Sequence, residues 1–446
     1  VLNATGAFNV NRTRFDLGVN SAFLNSSNLT FMNTTANVTF FGLTSSNPSA
    51  TVDYNEGAGF QTCDTSLCTN QQYAGGTFTM TVAHFTNFST TDASSCGIIT
   101  TSTTLANNVN SSGTCFTINA NDVTLDCAGY TINYSQSAQG FAVVSNDTRG
   151  ITIKNCNIWQ SSTGLTGAHG LNFTNVNSSY VLNNNITVRS DQSIGVYFRQ
   201  SVNDTIANNL INTTGTGGSK YGVQVTSSAN NNTIINNTIR TDGSGSNNYG
   251  IYLFNIVSGN LVQGNSITTN GTLSNYGMRL TSSVNNNTIV NNTIHTRGSS
   301  GVNIGIYLQS VSSNFVQGNS ISTNGTSTNY GMRLDSSANN NTVVNNTIWA
   351  QGSGDNNYGI YLFSTVLGNL VHGNSISTNG TSANYGLRLD DSASNNTITN
   401  NTIRTQGSLN SNIGITITNT ASGNLVQGNS ITTNGTGSSN YGMLIS

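Results

Sequence analysis

From about residue 190 to the end of the chain a glycine, usually preceded by Tyr or Ile, recurs before an apolar segment: Gly195, Gly222, Gly250, Gly277, Gly305, Gly331, Gly359, Gly386, Gly414 and Gly442. The intervals are 26 to 28 residues. A fixed period of that length is the mark of a solenoid. After Gly250 come Ile251, Tyr252 and Leu253, and after Gly277 come Met278, Arg279 and Leu280. The first and third of these are apolar in each period, so they point inward and the second points out. Two more short strands follow in each period. Their inward columns are Ile234, Val262, Ile289, Val316, Val343, Val371, Ile398, Val426 and Ile239, Ile267, Ile294, Ile321, Ile348, Ile376, Ile403, Ile431. Three short strands per turn of about 27–28 residues, each stacked on its copy one turn later, describe an all-β parallel β-helix. Short period-two segments separated by Asn, Gly and Ser disfavour a helical solenoid.

Asparagine stacks in the same register. One column is Asn232, Asn260, Asn287, Asn314, Asn341, Asn369, Asn396, Asn424, and another is Asn237, Asn265, Asn292, Asn319, Asn346, Asn374, Asn401, Asn429. Repeated amides along a sheet form hydrogen-bonded ladders, and Asn tolerates the left-handed bends between strands. These columns read as structural, without need of a ligand.

The repeat NNTIxNNTI, together with the segment Asn121-Asp122-Val123-Thr124-Leu125-Asp126-Cys127-Ala128-Gly129-Tyr130-Thr131-Ile132, resembles the parallel β-helix repeat proteins of the pectin-lyase-like superfamily, of a glycosylated cell-surface type. The resemblance implies a right-handed β-helix over 96–446, of about twelve turns and, at ~4.8 Å per turn, ~60 Å long. It implies little about function, because that superfamily includes polysaccharide lyases, hydrolases, epimerases, adhesins and surface-layer components. Residues 1–95 lack the repeat. Segments such as Val38-Thr39-Phe40-Phe41 and Thr77-Phe78-Thr79-Met80-Thr81-Val82 alternate like strands, so a small sandwich-like β domain or a cap is expected there.

Composition narrows the function classes. The net charge is -2, charged residues are 6% of the chain, and Lys occurs only at Lys154 and Lys220, so no basic surface for nucleic acid is available. No apolar run is long enough to span a bilayer. The chain starts at Val1 rather than Met, compatible with removal of a leader. All six cysteines precede residue 160. An even count in a sequon-rich chain points to disulfides. Cys63–Cys68 is the best pair from proximity; Cys96–Cys115 and Cys127–Cys156 are the pairings considered for the others, with buried free thiols the alternative for the last. No zinc spacing is present.

The chain holds 75 Asn and 27 N-x-[ST] sequons. Their placement follows a two-turn unit of 54 to 56 residues. One column reads Asn231, Gly259, Asn286, Ser313, Asn340, Gly368, Asn395, Gly423, and a second reads Asn236, Gly264, Asn291, Gly318, Asn345, Gly373, Asn400, Gly428. Each Asn in them heads a sequon. A third column has Asn270, Asn324, Asn379 and Asn434, each followed by Gly-Thr, with Arg297, Gln351 and Gln406 on the turns between. Turns ~4.8 Å apart are too close for stacked sugars, and skipping one gives each sugar ~10 Å. These twelve Asn are therefore candidate glycosylation sites. The alternative is duplication of a two-turn unit in which Asn and Gly were retained because both accept left-handed backbone. Glycans at this density imply an extracellular, cell-surface location.

The outward position of the first strand alternates Tyr and Arg: Tyr252, Arg279, Tyr307, Arg333, Tyr361, Arg388. This stripe suits cation–π contact, and so a ladder bracing the sheet surface; it equally suits contact with sugar or a partner protein. An outward column of Thr233, Leu261, Thr288, Phe315, Thr342, Leu370, Thr397 and Leu425 is a candidate lateral contact face. Arg333 with Asp335, and Arg388 with Asp390 and Asp391, come nearest to a lyase-like site, but Glu56 is the only Glu and no three-carboxylate cluster appears in the repeat. His84, His169, His295 and His372 are scattered, and Asp53-Tyr54-Asn55-Glu56-Gly57 is an incomplete calcium loop. No catalytic residue, metal site or cofactor is expected, and regularity itself argues against an enzyme. The last segment, Tyr441 to Ser446, is the first strand of a turn with no polar cap, which suggests more chain or a second subunit stacked head to tail. The expected role is a structural, heavily N-glycosylated component of an extracellular filament, sheath or surface layer. The alternatives are a carbohydrate- or host-binding adhesin and, less favoured, a polysaccharide lyase or hydrolase.

Overall fold

The computed structural model describes residues 15–18, 21–24, 35–40, 48, 50–53, 61–74, 77–83, 87–90, 95–354 and 356–446. Its secondary structure is all β. Before residue 95 the pairing is antiparallel. Five strands run in the order Phe15–Gly18, Ser21–Leu24, Asn87–Thr90, Ala50–Asp53, Gln61–Thr62. Thr77–Val82 pairs with both Ala36–Phe40 and Cys68–Ala74. Val38, Phe40, Val52, Phe78, Met80 and Val82 form a core of their own around the Cys63–Cys68 disulfide. The calcium-loop residues 54–57 and His84 lie outside the described residues.

From Gly97 the pairing becomes parallel, as the periodicity requires. Three sheets of 14, 13 and 13 strands run side by side, and each strand pairs with its copies one turn before and one turn after. A typical turn has the seven-residue strand Asn248–Phe254, the three-residue strand Leu261–Gln263 and the six-residue strand Ser266–Gly271. Their inward Ile, Val, Leu and Met side chains, such as Ile251, Leu253, Val262 and Ile267, are 0% exposed and form one continuous core along the solenoid. Gly250 and its counterparts are required by this packing. A Cβ on Gly250 would lie 2.6 Å from the Gly277 carbonyl oxygen and inside van der Waals contact with Ile267 Cγ2.

The corners explain the asparagine. Between the three- and six-residue strands only two residues turn the chain. The first is left-handed in every repeat, with φ of 55° at Asn236, 64° at Gly264, 55° at Asn291 and 64° at Gly318. The second is a buried Asn that replaces the main-chain bonds lost at the bend. Asn265 donates from Nδ2 to the Ile234 and Gln263 carbonyls and to Asn292 Oδ1, at 2.8, 3.1 and 3.0 Å. A second ladder does the same at the preceding corner, where Asn260 donates to Asn287 Oδ1 at 2.9 Å. A third ladder, not anticipated from the sequence, runs from Asn248 through Asn275, Asn303, Asn329, Asn357, Asn384 and Asn412 to Asn440. Within the runs, Nδ2 donates toward the C-terminal end and Oδ1 accepts from the N-terminal side. Buried carbonyl and amide groups are thereby paired rather than left without partners. Asn248 Oδ1, at the head of the third ladder, has no partner among the described residues.

The remaining two disulfides close the first turns, Cys96–Cys115 and Cys127–Cys156 with Cα separations of 4.7 Å each, so all three pairings follow the sequence expectation. Cys156 stands above Asn184 in the second asparagine column, and its amide donates to Asn184 Oδ1. The disulfide occupies the place of the first rung of that ladder.

Candidate functional site

The Tyr/Arg stripe lies on the outer face of the long-strand sheet. Parallel register puts Tyr252 beside Arg279, Arg279 beside Tyr307, Tyr307 beside Arg333, Arg333 beside Tyr361 and Tyr361 beside Arg388. A flanking column missed in the sequence joins them: Tyr221, Tyr249, Tyr276, Tyr330, Tyr358 and Tyr385, each next to the periodic glycine. Strand pairing skips Gly250, so Tyr249 and Tyr252 both come to the outer face, their rings 5.0 Å apart. Tyr330, Tyr358 and Tyr385 stack in sequence at 4.8 and 5.1 Å.

Each arginine is enclosed by this layer. The Arg279 guanidinium lies 5.4–5.8 Å from the rings of Tyr249, Tyr252, Tyr276 and Tyr307. Arg333 lies 5.4–5.8 Å from Tyr307, Tyr330, Tyr361 and Phe363. Arg388 sits over Tyr358, Tyr361 and Tyr385. Arg333 and Arg388 also pair with Asp335 and Asp390, both at 2.6 Å. Those carboxylates are saturated. Asp335 accepts from Tyr307 and Ser336, and Asp390 from Tyr361, Thr418, Asn419 and the Asp391 amide. Burial acts to raise the pKa of Asp390, but the Asn419 hydrogen bond and the Arg388 charge outweigh it and hold the carboxyl below its usual range. Burial pushes the Tyr307 and Tyr361 phenols far up, helped by the adjacent Asp335 and Asp390 charges, and it pushes Tyr358 up to about 12. The tyrosines are therefore protonated donors at neutral pH. With Tyr307, Tyr330, Tyr358 and Tyr361 at 7–9% exposure, the layer covers itself.

The twelve candidate glycosylation residues lie on other faces. Asn231, Asn286, Asn340 and Asn395 precede the three-residue strand, Asn236, Asn291, Asn345 and Asn400 follow it, and Asn270, Asn324, Asn379 and Asn434 are the penultimate residues of the six-residue strand; all twelve are exposed. No sequon falls in any long strand from Lys220 onward. The first two columns are left-handed on the Asn turns and on the Gly and Ser turns alike. Where Gly follows, the carboxamide oxygen of the Asn overhangs the next turn. A Cβ on Gly264 would meet Asn236 Oδ1 at 2.6 Å, and one on Gly318 or Gly373 would meet Asn291 or Asn345 at 2.5 Å. Gly on the following turn leaves room for that oxygen, although the same corners carry Asn on successive turns at Asn203 and Asn231 and at Asn183, Asn208 and Asn236.

The outward apolar column is half-buried through Leu261, Phe315 and Leu370, and Leu425 is 51% exposed. His169 is packed between Phe141 and Tyr197, its ring centroid 5.6 and 5.7 Å from theirs, and burial drives its pKa down to about 4. His295 and His372 stand apart on the surface, and among the described residues no three His, Cys, Asp or Glu side chains come together as a metal site. No helix among the described residues is long and apolar enough to cross a membrane.

A family model described as right handed beta helix region matches residues 169–348 and 302–446. No curated protein sequence matches the chain. Solved structures do. A mutant of the periplasmic alginate epimerase AlgG is 16% identical with a TM-score of 0.44, over 68% of this chain and 65% of that one. The Dettilon tailspike protein gp208 is 17% identical with a TM-score of 0.41, over 68% and 60%. PfbA, a surface adhesin of Streptococcus pneumoniae, is 13% identical with a TM-score of 0.40, over 63% and 82%. The chain thus spans less than two thirds of the first two. One expectation is corrected here. The chain was expected not to be an enzyme because its repeat is regular, yet epimerases are among the structures similar to it, so a β-helix of this kind gives no ground for excluding catalysis. The disulfides are compatible with an extracellular location.

Proposed function

The chain belongs to the right-handed β-helix family, and on that scaffold we propose that it is a rigid, N-glycosylated rod serving as a structural component of an extracellular surface layer, sheath or filament. One observation carries the reading. All twelve periodic sequon asparagines are exposed on alternate turns, while the long-strand face has no sequon from Lys220 onward. Two-turn spacing gives each glycan ~10 Å along the rod, enough for sugars that adjacent turns could not both hold. The Tyr/Arg layer supports the same role, because its side chains are spent on one another and brace successive turns.

The test is glycopeptide mass spectrometry on protein from its native surface, with electron microscopy of the same preparation. Modified Asn in the three columns and ordered arrays of rods are expected. Unmodified Asn throughout, with isolated rods, would overturn the proposal. Gly318→Asn sharpens it. The new side chain precedes Asn319 and Ser320, so it completes a sequon on a skipped turn; its left-handed backbone accepts Asn, and the Asn291 carboxamide, whose Oδ1 a Cβ at 318 would meet at 2.5 Å, must rotate aside. Occupancy at position 318 should come at the expense of Asn291 and Asn345.

A further inference from the structure

The asparagine ladder at the first corner extends beyond the columns seen in the sequence, and one member is not an amide. Above Asn232 the same position is held by Asp204, and above that by Ser179. The Asp204 amide donates to Asn232 Oδ1 at 2.9 Å, and the Ser179 amide donates to Asp204 Oδ1 at 2.8 Å. Asp204 therefore uses one carboxyl oxygen as every Asn in the column uses Oδ1. Its other oxygen stands where they place an NH2 group. Lower in the ladder that NH2 group is surrounded by acceptors: Asn260 Nδ2 donates to the Ala229 carbonyl, the Ser258 carbonyl and Asn287 Oδ1 at 3.3, 3.1 and 2.9 Å. By the same register Asp204 Oδ2 faces the Val176 and Val202 carbonyls and Asn232 Oδ1. It is buried without a partner, and the residue is 1% exposed. An ionised oxygen there would meet only other oxygens, out of reach of water.

We propose that Asp204 is a proton-binding site within the ladder: it is held as a neutral carboxylic acid that donates its proton where its neighbours donate an amide N–H, and loss of that proton loosens the adjoining turns. No charge offsets ionisation. The titratable groups flanking this corner on its own turn and the two turns before it, Asp147, Arg149, Tyr180 and Arg199, are exposed on the outer surface, and residues 227–238 of the turn after it include none. Among the described residues no ion pair reaches Asp204. Burial pushes its pKa up from the ordinary 3.8 to about 7, against the opposing pull of the Ser179 amide. A folded pKa above the unfolded one means that the native state binds the proton more tightly. The group's contribution to stability is therefore fully present below about pH 4, declines as pH rises, and is lost by about pH 7.

The experiment compares the full chain with Asp204→Asn, which completes the ladder with a group that does not titrate. Amide hydrogen exchange of the turns around 179–232 is measured from about pH 4 to 8 after correction for intrinsic exchange, and infrared spectra are taken at about pH 5. The variant's protection should gain on wild type by about tenfold per pH unit, to roughly a thousandfold near pH 7, with no further change above. Wild type should show a protonated-carboxyl band that the variant lacks. A protection ratio independent of pH would overturn the proposal. If the variant does not fold, the spectrum of wild type alone decides: no protonated carboxyl at about pH 5 refutes it.

Discussion

Replacing Asn341 by Leu tests whether the amide ladders hold the corners. Asn341 is fully buried. Its Oδ1 accepts from the Asn314 amide and from Asn314 Nδ2, both at 3.0 Å, and its Nδ2 donates to the Val311 carbonyl at 3.4 Å and to Asn369 Oδ1 at 3.0 Å. Leu has the same branched heavy-atom skeleton and is larger, so no cavity opens. Asn314 Nδ2 keeps the Val284 and Ser312 carbonyls as partners, and Asn369 Oδ1 keeps the residue-341 amide, but the Asn314 amide loses its acceptor in a dry interior. Four lost bonds at ~1 kcal/mol each and one orphaned donor at ~1–3 kcal/mol, less ~2 kcal/mol from burying the Leu side chain, leave a cost of about 3–5 kcal/mol. In a solenoid this loss is felt mainly by neighbouring turns. Hydrogen exchange read by mass spectrometry should show protection falling at least a hundredfold over residues 314–370, with little change near Thr233. The sequon at Asn340 is preserved, since position 341 is its variable residue. Protection within threefold of wild type would show that the main-chain sheet alone sets the corner and that the ladder adds nothing.

Two further outcomes are expected. Arg333→Ala removes four cation–π contacts and leaves Asp335, 4% exposed, without its cation, a loss of about 2–3 kcal/mol. Arg333→Lys should recover little because an ammonium cannot stack between rings, so a fully restored denaturation midpoint with Lys would refute the stacking account. Gly305→Ala puts a Cβ 2.5 Å from the Gly331 carbonyl oxygen and into Ile321 Cγ2, and should cost about 3 kcal/mol or more by chemical denaturation; wild-type stability would show that the periodic glycine is not a packing requirement.

The solenoid was legible because its causes repeat. Inward Ile and Val at a fixed period, and Asn at each corner, can be read without coordinates, and the Cys63–Cys68 pair follows from proximity in sequence. What escaped were features that break simple counting. Tyr249 and Tyr252 are three residues apart and should face opposite ways in a regular strand; the break at Gly250 brings both outward, so half of the aromatic layer was read as spacing. The third ladder was hidden because Asn248 precedes a Tyr-Gly pair instead of standing in an Asn-rich run. Asn184 escaped because it lies only 25 residues before Asn209, outside the 26 to 28-residue frame; Asp204 and Asn209 lie within it, 28 residues before Asn232 and Asn237, but the repeated Asn-Asn-Thr-Ile there becomes Asn203-Asp204-Thr205-Ile206 and Asn208-Asn209-Leu210-Ile211. The surface role of the sequons is a matter of chemistry performed on the chain, and sequence can supply only the acceptors.

The sequons give this rod a parity. Asn turns and Gly or Ser turns alternate. Deleting one turn would bring two Asn turns together, as the chain already does at Asn203 and Asn231 and at Asn183, Asn208 and Asn236, and would put two sequon turns side by side, while deleting two would keep the alternation. The sequons of such a molecule are thus counted in pairs of turns: duplication or loss of a 54 to 56-residue unit changes its reach by ~10 Å and keeps their alternation in step.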